Sequence, residues 1–124
     1  MTLAYWCVLI AAILPYLMIV VAKAGATGFD NRRPRAWYEQ AEGYRRRAVW
    51  AQQNSFEILP LFVAAVIIAH LAAASQAWID ALAIVFIASR VAYAACYLAD
   101  LPLARSLVWT LGFACCVALF IIAA

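Results

Sequence analysis

Charged residues are scarce in this chain. Only 12% of its 124 residues carry a charged side chain, whereas an ordinary soluble domain has about 25%. Hydrophobic residues make up 70% of the sequence. This composition excludes an ordinary soluble domain, and the length allows one domain. We therefore predict an integral membrane protein that forms a single domain over residues 1–124.

The chain also lacks the motifs of several kinds of site. Its four cysteines show neither a CxxC motif nor a metal-ligand spacing with histidine. No phosphate-binding loop, haem motif or catalytic triad is present. One short basic run is the only feature that suits a nucleic acid. We therefore expect no metal and no nucleic-acid partner, and we interpret the cysteines as small buried apolar residues.

Four long apolar runs make up most of the sequence. Each reaches the roughly 20 residues that a helix needs to cross a bilayer. They cover about 3–22, 48–73, 77–99 and 101–124. The polar connection at 27–43 is predicted as a loop, and the turn at 75–77 is so short that its helices must be antiparallel neighbours. The sequence therefore predicts an all-α bundle of four transmembrane helices.

The basic residues are unevenly distributed along the chain. Seven of the nine lie between the first and second runs, and the turn between the second and third runs has none. By the positive-inside rule, we expect residues 23–47 and 99–105 to be cytoplasmic and both termini to lie outside. Topology and contact with anionic membrane lipids account for most of these arginines.

The second run carries Asn54 and Glu57 into an otherwise apolar helix. A charged side chain inside a bilayer costs about 2.5–3.5 kcal/mol on insertion scales, so Glu57 needs a partner. Residues three, four and seven apart share a face of a helix, and Arg47, Asn54 and Glu57 fit that spacing. This face therefore indicates a site.

The third run supplies a matching polar face. Arg90, Tyr93 and Tyr97 have helical spacing, and an antiparallel neighbour would place Arg90 at the depth of Glu57. We predict a buried Glu57–Arg90 pair. The remaining residues, Arg47, Gln53, Tyr93 and Tyr97, would form a pocket for a small anion, because arginine binds carboxylates and tyrosine supplies donors. The alternative for the tyrosines is a plain interfacial belt.

Two polar residues lie near the other end of these runs. His70 stands alone, and we interpret it as a hydrogen-bonded interfacial histidine rather than a proton relay. Asp80 lies at the start of the third run, where a carboxylate stabilises the N-terminus of a helix.

These motifs resemble those of a known family. The second run is similar to the signature of the MAPEG family, the membrane-associated proteins in eicosanoid and glutathione metabolism. The similar segment is Arg47-Ala-Val-Trp-Ala-Gln-Gln-Asn54-Ser-Phe-Glu57-Ile-Leu-Pro60-Leu-Phe62. The run Arg90-x-x-Tyr93-x-x-x-Tyr97 resembles the family's helix-three motif. The segment Pro102-Leu-Ala-Arg105-Ser-Leu-Val-Trp109 is similar to the bacterial branch. The resemblance covers nearly the whole chain.

The resemblance implies a homotrimer in a bacterial inner membrane, with glutathione bound between protomers. Lipophilic electrophiles or lipid hydroperoxides would enter from the membrane lipids and be attacked by the glutathione thiol. Glu57 would bind the amino group of glutathione and arginines its carboxylates. Arg105 would be the residue that stabilises the thiolate. The residues implied to bind glutathione are Arg47, Gln52, Asn54, Glu57, Arg90, Tyr93 and Tyr97.

The resemblance leaves open whether the chain is an enzyme. Many enzymatic members have a second arginine where this chain has Trp50. The family also includes a member without enzymatic activity that binds lipid and presents it to a partner. The alternative is therefore a non-catalytic, ligand-binding trimer or an accessory subunit of a larger membrane complex. A small proton-coupled transporter is a third possibility, but its carboxylate in the first helix is absent here.

Overall fold

The computed structural model describes residues 1–124 and contains five helices and no strand. The helices are α1 (Leu3–Lys23), α2 (Pro34–Gln40), α3 (Gly43–Leu71), α4 (Gln76–Leu98) and α5 (Pro102–Ala123). The four long helices α1, α3, α4 and α5 are long and apolar enough to cross a membrane. The predicted all-helical chain with four candidate spans is therefore confirmed.

The short helix α2 differs from the loop predicted at 27–43. Pro34 is its first residue, a position that suits proline because no intrahelical donor is needed there. Trp37 and Tyr38 of α2 pack near Phe29, with ring centroids 5.3 and 6.3 Å from the Phe29 centroid. The ammonium of Lys23 lies 4.1 Å from the Phe29 centroid. These aromatic and cation–π contacts order α2, although the polarity of this segment alone favours a loop.

The four long helices pack as two central and two outer helices. α1 and α5 each contact both α3 and α4, and they do not contact one another. Phe62 of α3 stacks on Phe86 of α4 at 3.8 Å between ring centroids, and both are buried. α5 approaches α4 closely because Gly112 has no side chain: a Cβ there would lie 2.6 Å from the Ser89 hydroxyl.

Arginines join the helix ends on one side of the bundle. Arg45, near the start of α3, donates to the carbonyl oxygens of Ala22 and Ala24 at the end of α1. Arg47 donates to the carbonyl oxygen of Leu98, the last residue of α4. Cations near helix C-termini bind carbonyls that have no partner within the helix. We call this side the loop end and the other side the far end.

Candidate functional site

Arg90 of α4 is almost completely buried, with 4% of its surface exposed. Its Nη2 donates to Asn54 Oδ1 at 3.0 Å and to Ser55 Oγ at 3.1 Å, which joins α4 to α3. Its guanidinium carbon lies 4.2 Å from the centroid of the Tyr93 ring. Its Nε and Nη1 have no hydrogen-bond partner in the chain. Arg90 is therefore a buried cation that is only partly satisfied.

The predicted Glu57–Arg90 pair is wrong, because Asn54 lies between the two groups. Asn54 accepts from Arg90 through Oδ1 and donates through Nδ2 to Glu57 Oε2 at 3.4 Å. The Glu57 side chain is exposed, whereas Arg90 is buried. The Glu57 carboxylate at the bundle surface and the Arg90 guanidinium in the core are therefore not in direct contact. The Asn54 amide, one turn before Glu57 on α3, bridges them.

Three adjoining cavities open around Asn54 on one face of the bundle, and we call them together the polar groove. Their volumes are about 350, 300 and 160 Å³. The first is lined by Trp50, Gln53, Asn54, Glu57, Tyr93 and Tyr97. The second is lined by Asn54, Tyr93, Tyr97, Arg105, Ser106, Trp109 and Thr110. The third is lined by Asn54, Glu57, Ile58, Leu61, Trp109 and Phe113.

The polar groove contains both signs of charge. Glu57 lines the first and third cavities, and Arg105 lines the second. The Arg105 guanidinium lies 4.4 Å from the centroid of the Tyr97 ring, and Tyr97 meets Tyr93 edge to face at 5.5 Å. Neither Glu57 nor Arg105 forms an ion pair within the chain. The groove therefore offers an acceptor for an ammonium and a donor for an anion, separated by two tyrosines.

The structure brings together five of the eight residues that the sequence singled out: Asn54, Glu57, Tyr93, Tyr97 and Arg105. The other three lie outside the groove. Arg47 binds the end of α4, and Arg90 lies behind Asn54. Gln52 lines a separate cavity of about 360 Å³ between α2 and α3, together with Arg35, Tyr38, Glu39, Arg46, Val49 and Gln53.

One wall of the groove was missed by the sequence reasoning. α5 contributes Ser106, Trp109, Thr110 and Phe113 as well as the predicted Arg105. The rings of Trp109 and Phe113 stack at 5.4 Å. The spacing Arg105, Trp109, Phe113 repeats every four residues, so a common helical face was visible in the sequence. The polar residues of the second and third runs alone do not indicate this wall.

The residue types that bind metals do not cluster in this chain. The chain has no group of three or more His, Cys, Asp or Glu residues that could hold a metal ion. All four cysteines are free; three are buried and Cys96 is half-buried. This agrees with their interpretation as packing residues.

The MAPEG family model matches residues 3–124, which is essentially the whole chain. The chain belongs to the MAPEG family. A search of curated proteins with this sequence finds no match. Membership makes the chain a membrane protein of the family that is named for eicosanoid and glutathione metabolism, in agreement with its four apolar helices. In this MAPEG protein, five of the eight residues that resemble the family motifs line the polar groove.

Proposed function

We propose that this MAPEG protein is a glutathione-dependent transferase or peroxidase that acts on lipophilic electrophiles or lipid hydroperoxides. The observation that carries the proposal is the polar groove, in which Glu57 and Arg105 lie on either side of two tyrosines without ion-pair partners in the chain. Its two larger cavities, of about 350 and 300 Å³, have the size of small-molecule sites.

Glutathione is complementary to the charges of this groove. Its ammonium binds the Glu57 carboxylate, and one of its carboxylates or its thiolate binds Arg105. The hydroxyls of Tyr93 and Tyr97 make no hydrogen bond within the chain, so they are free to donate to the ligand. Asn54, whose oxygen is taken by Arg90, offers its amide nitrogen.

The lipophilic substrate binds at the apolar side of the groove. The smallest cavity, of about 160 Å³, is lined by four apolar side chains: Ile58, Leu61, Trp109 and Phe113. It shares Asn54 and Glu57 with the cavity where glutathione is placed. A molecule dissolved in the bilayer therefore reaches the thiol from the lipid side, which places the two reactants next to each other.

Arg105 activates the thiol in this proposal. A nearby cation favours the thiolate, which is the nucleophile. In transfer, the thiolate sulfur bonds to the electrophilic carbon, and the leaving group departs with its bonding electrons. In peroxide reduction, two glutathione molecules are oxidised to the disulfide, and the hydroperoxide is reduced to an alcohol and water.

A homotrimer gives a role to Gln52, which lies outside the groove. Gln52, Arg35 and Arg46 line a cavity of about 360 Å³ with no polar-groove residue other than Gln53. In the proposed trimer, this cavity faces the groove of the neighbouring protomer, and its two arginines bind the second carboxylate of glutathione. Light scattering of the detergent-solubilised protein tests the trimer, and a monomeric mass would contradict it.

The loop end is cytoplasmic in this proposal, in a bacterial inner membrane. The support is the clustering of basic residues between α1 and α3. In a variant whose four native cysteines are replaced by alanine, single cysteines placed by Arg32→Cys and Ser75→Cys test the orientation with a membrane-impermeant maleimide on spheroplasts. The cysteine at 75 is labelled at once, and that at 32 only after permeabilisation. The reverse pattern would overturn the orientation.

The decisive experiment for the activity uses the purified, detergent-solubilised protein. We expect the protein to turn over a chlorinated aromatic electrophile or a lipid hydroperoxide in the presence of glutathione. We also expect calorimetry to detect glutathione binding. The absence of both turnover and binding would overturn the proposal.

One observation favours a second function, a non-catalytic ligand-binding trimer or accessory subunit. Trp50 is 45% exposed and lines the groove where many enzymatic members have an arginine. The Arg46 guanidinium lies 5.8 Å from the centroid of the Trp50 ring. Binding of glutathione or lipid without turnover would support this function. Trp50→Arg would then restore turnover if the missing arginine is the cause.

A further inference from the structure

A second layer of side chains lies behind the polar groove. Arg90 lines none of the three groove cavities, and its nearest void is separate and small, about 10 Å³. That void has room for about one water molecule. Arg90 therefore cannot touch a ligand in the groove. Its only link to the groove by hydrogen bonds passes through Asn54.

The chemistry of the three groups fixes the direction of this link. A guanidinium only donates, and a carboxylate only accepts. An asparagine amide has one accepting oxygen and one donating nitrogen, so it fits between them in a single orientation. Arg90 holds the Asn54 oxygen at 3.0 Å, which turns the nitrogen towards Glu57 at 3.4 Å. Glu57 Oε1 makes no hydrogen bond within the chain.

Burying Arg90 is unfavourable for folding if the residue serves only to pack the helices. It is buried, and two of its nitrogens have no acceptor in the chain. A buried donor without a partner costs folding free energy, and an apolar side chain of similar length would avoid that cost. Packing alone therefore does not account for Arg90, and the group that it orients is Asn54.

We propose that Arg90 is a positioning residue that acts through Asn54 to hold the Glu57 carboxylate in the direction that binds the ammonium of the ligand. This inference rests on the proposed glutathione function for its ligand but not for its geometry. The relay Arg90–Asn54–Glu57 connects a core cation to a surface carboxylate without an ion pair.

A double-mutant cycle tests the route. Arg90→Met weakens glutathione binding about tenfold or more, the size of one hydrogen bond to a charged group, while kcat changes less than KM. Asn54→Leu keeps the volume and removes the amide. Adding Arg90→Met to Asn54→Leu causes no further loss, because the relay is already broken. Losses that multiply in the double variant would overturn the proposal, since Arg90 would then act by another route.

Ser55→Ala is the matched control. It removes the other acceptor of Arg90 Nη2, at 3.1 Å, and leaves the bond to Asn54. Its glutathione affinity stays at the wild-type value. An equal loss in Ser55→Ala and Arg90→Met would assign the effect to the packing of Arg90 and overturn the relay.

A spectroscopic test does not depend on glutathione. The chain has two asparagines, Asn54 and Asn31 in the loop, so asparagine-selective ¹⁵N labelling gives two side-chain amide signals, with Asn31 as internal reference. The Asn54 amide exchanges with solvent more slowly than Asn31 in the wild type and loses that protection in Arg90→Met. An unchanged Asn54 signal would overturn the positioning role. If the wild type binds no glutathione, the proposed function fails, and this measurement still decides the relay.

Discussion

The far end of the bundle and the polar groove each hold a cluster of polar side chains among apolar helices, and the two clusters differ in how they are bonded. At the far end lies a closed cluster of Thr2, Tyr5, His70, Gln76 and Asp80. Asp80 Oδ1 accepts from the Ala4 amide at 2.8 Å and from Gln76 Nε2 at 2.9 Å. His70 Nε2 lies 3.0 Å from Thr2 Oγ1, its Nδ1 donates to the Val66 carbonyl, and its ring stacks on Tyr5 at 4.2 Å.

The polar groove has the opposite character. Glu57 has a single hydrogen bond of 3.4 Å, and the Arg105 guanidinium has only a cation–π contact with the Tyr97 ring. A polar residue in a membrane helix is therefore not by itself the mark of a site. What separates the two clusters is whether donors and acceptors are used within the chain or left for a ligand.

The largest expected effect comes from Arg105→Ala. Removing the cation that stabilises the developing charge lowers glutathione-dependent kcat about 10²–10³-fold. The free energy of unfolding changes by less than about 1 kcal/mol, because only a cation–π contact with Tyr97 is lost. Steady-state kinetics and denaturation in detergent measure the two quantities. An unchanged kcat would contradict the role given to Arg105, and Arg105→Lys is the control that keeps the charge.

Glu57→Gln is expected to act on binding. Loss of the carboxylate weakens glutathione affinity about 10–100-fold, since a hydrogen bond to a charged group contributes about 1.5–3 kcal/mol. The side chain is exposed, so the fold is retained. Calorimetry measures the affinity. Glu42→Gln, an exposed residue that makes no capping bond, is the matched control. Equal affinities for Glu57→Gln and the wild type would show that the groove is not the ammonium site.

Gly112→Ala tests the packing beneath the groove. The new methyl group would meet the Ser89 hydroxyl at 2.6 Å, so that hydroxyl must leave its bond to the Phe86 carbonyl or α5 must move away from α4, at a cost of about 1–3 kcal/mol. Adding Ser89→Ala recovers most of that loss, because the Ser89 Cβ is 3.6 Å away, an ordinary contact. Thermal unfolding of both variants checks this. A double variant as unstable as Gly112→Ala would contradict the close approach.

The smallest effect is expected in the closed cluster. Asp80→Asn keeps an oxygen for the Ala4 amide but removes its charge, so the free energy of unfolding falls by about 1 kcal/mol. Glutathione affinity is unchanged. Asp100→Asn is the control, because Asp100 is exposed, and its φ of 58° is one that asparagine tolerates. A loss of affinity in Asp80→Asn would erase the distinction between the two clusters.

Much of this architecture could be predicted from the sequence. Run length gave the four spans, because the bilayer fixes the length of a crossing helix. Helical spacing grouped Asn54, Glu57, Tyr93 and Tyr97, which line one groove. His70, interpreted as a hydrogen-bonded residue, has two partners.

The choice of partners could not be predicted. Helical spacing shows which residues share a face of a helix, but it does not show which of two neighbours an arginine binds. Arg90 donates to Asn54 rather than to Glu57. Arg47 turns back to the end of α4, since its long side chain can reach carbonyls that the spacing rule ignores. Asp80 caps the neighbouring helix α1 through Ala4, whereas its own helix was expected.

The most direct test of the account is a calorimetric titration of glutathione into the detergent-solubilised protein, with the wild type and the Glu57→Gln/Arg105→Ala double variant measured side by side. We expect saturable binding to the wild type and its loss in the double variant, with both proteins folded. Equal binding by the two proteins would contradict the assignment of the polar groove, and no binding by the wild type would contradict glutathione as its ligand.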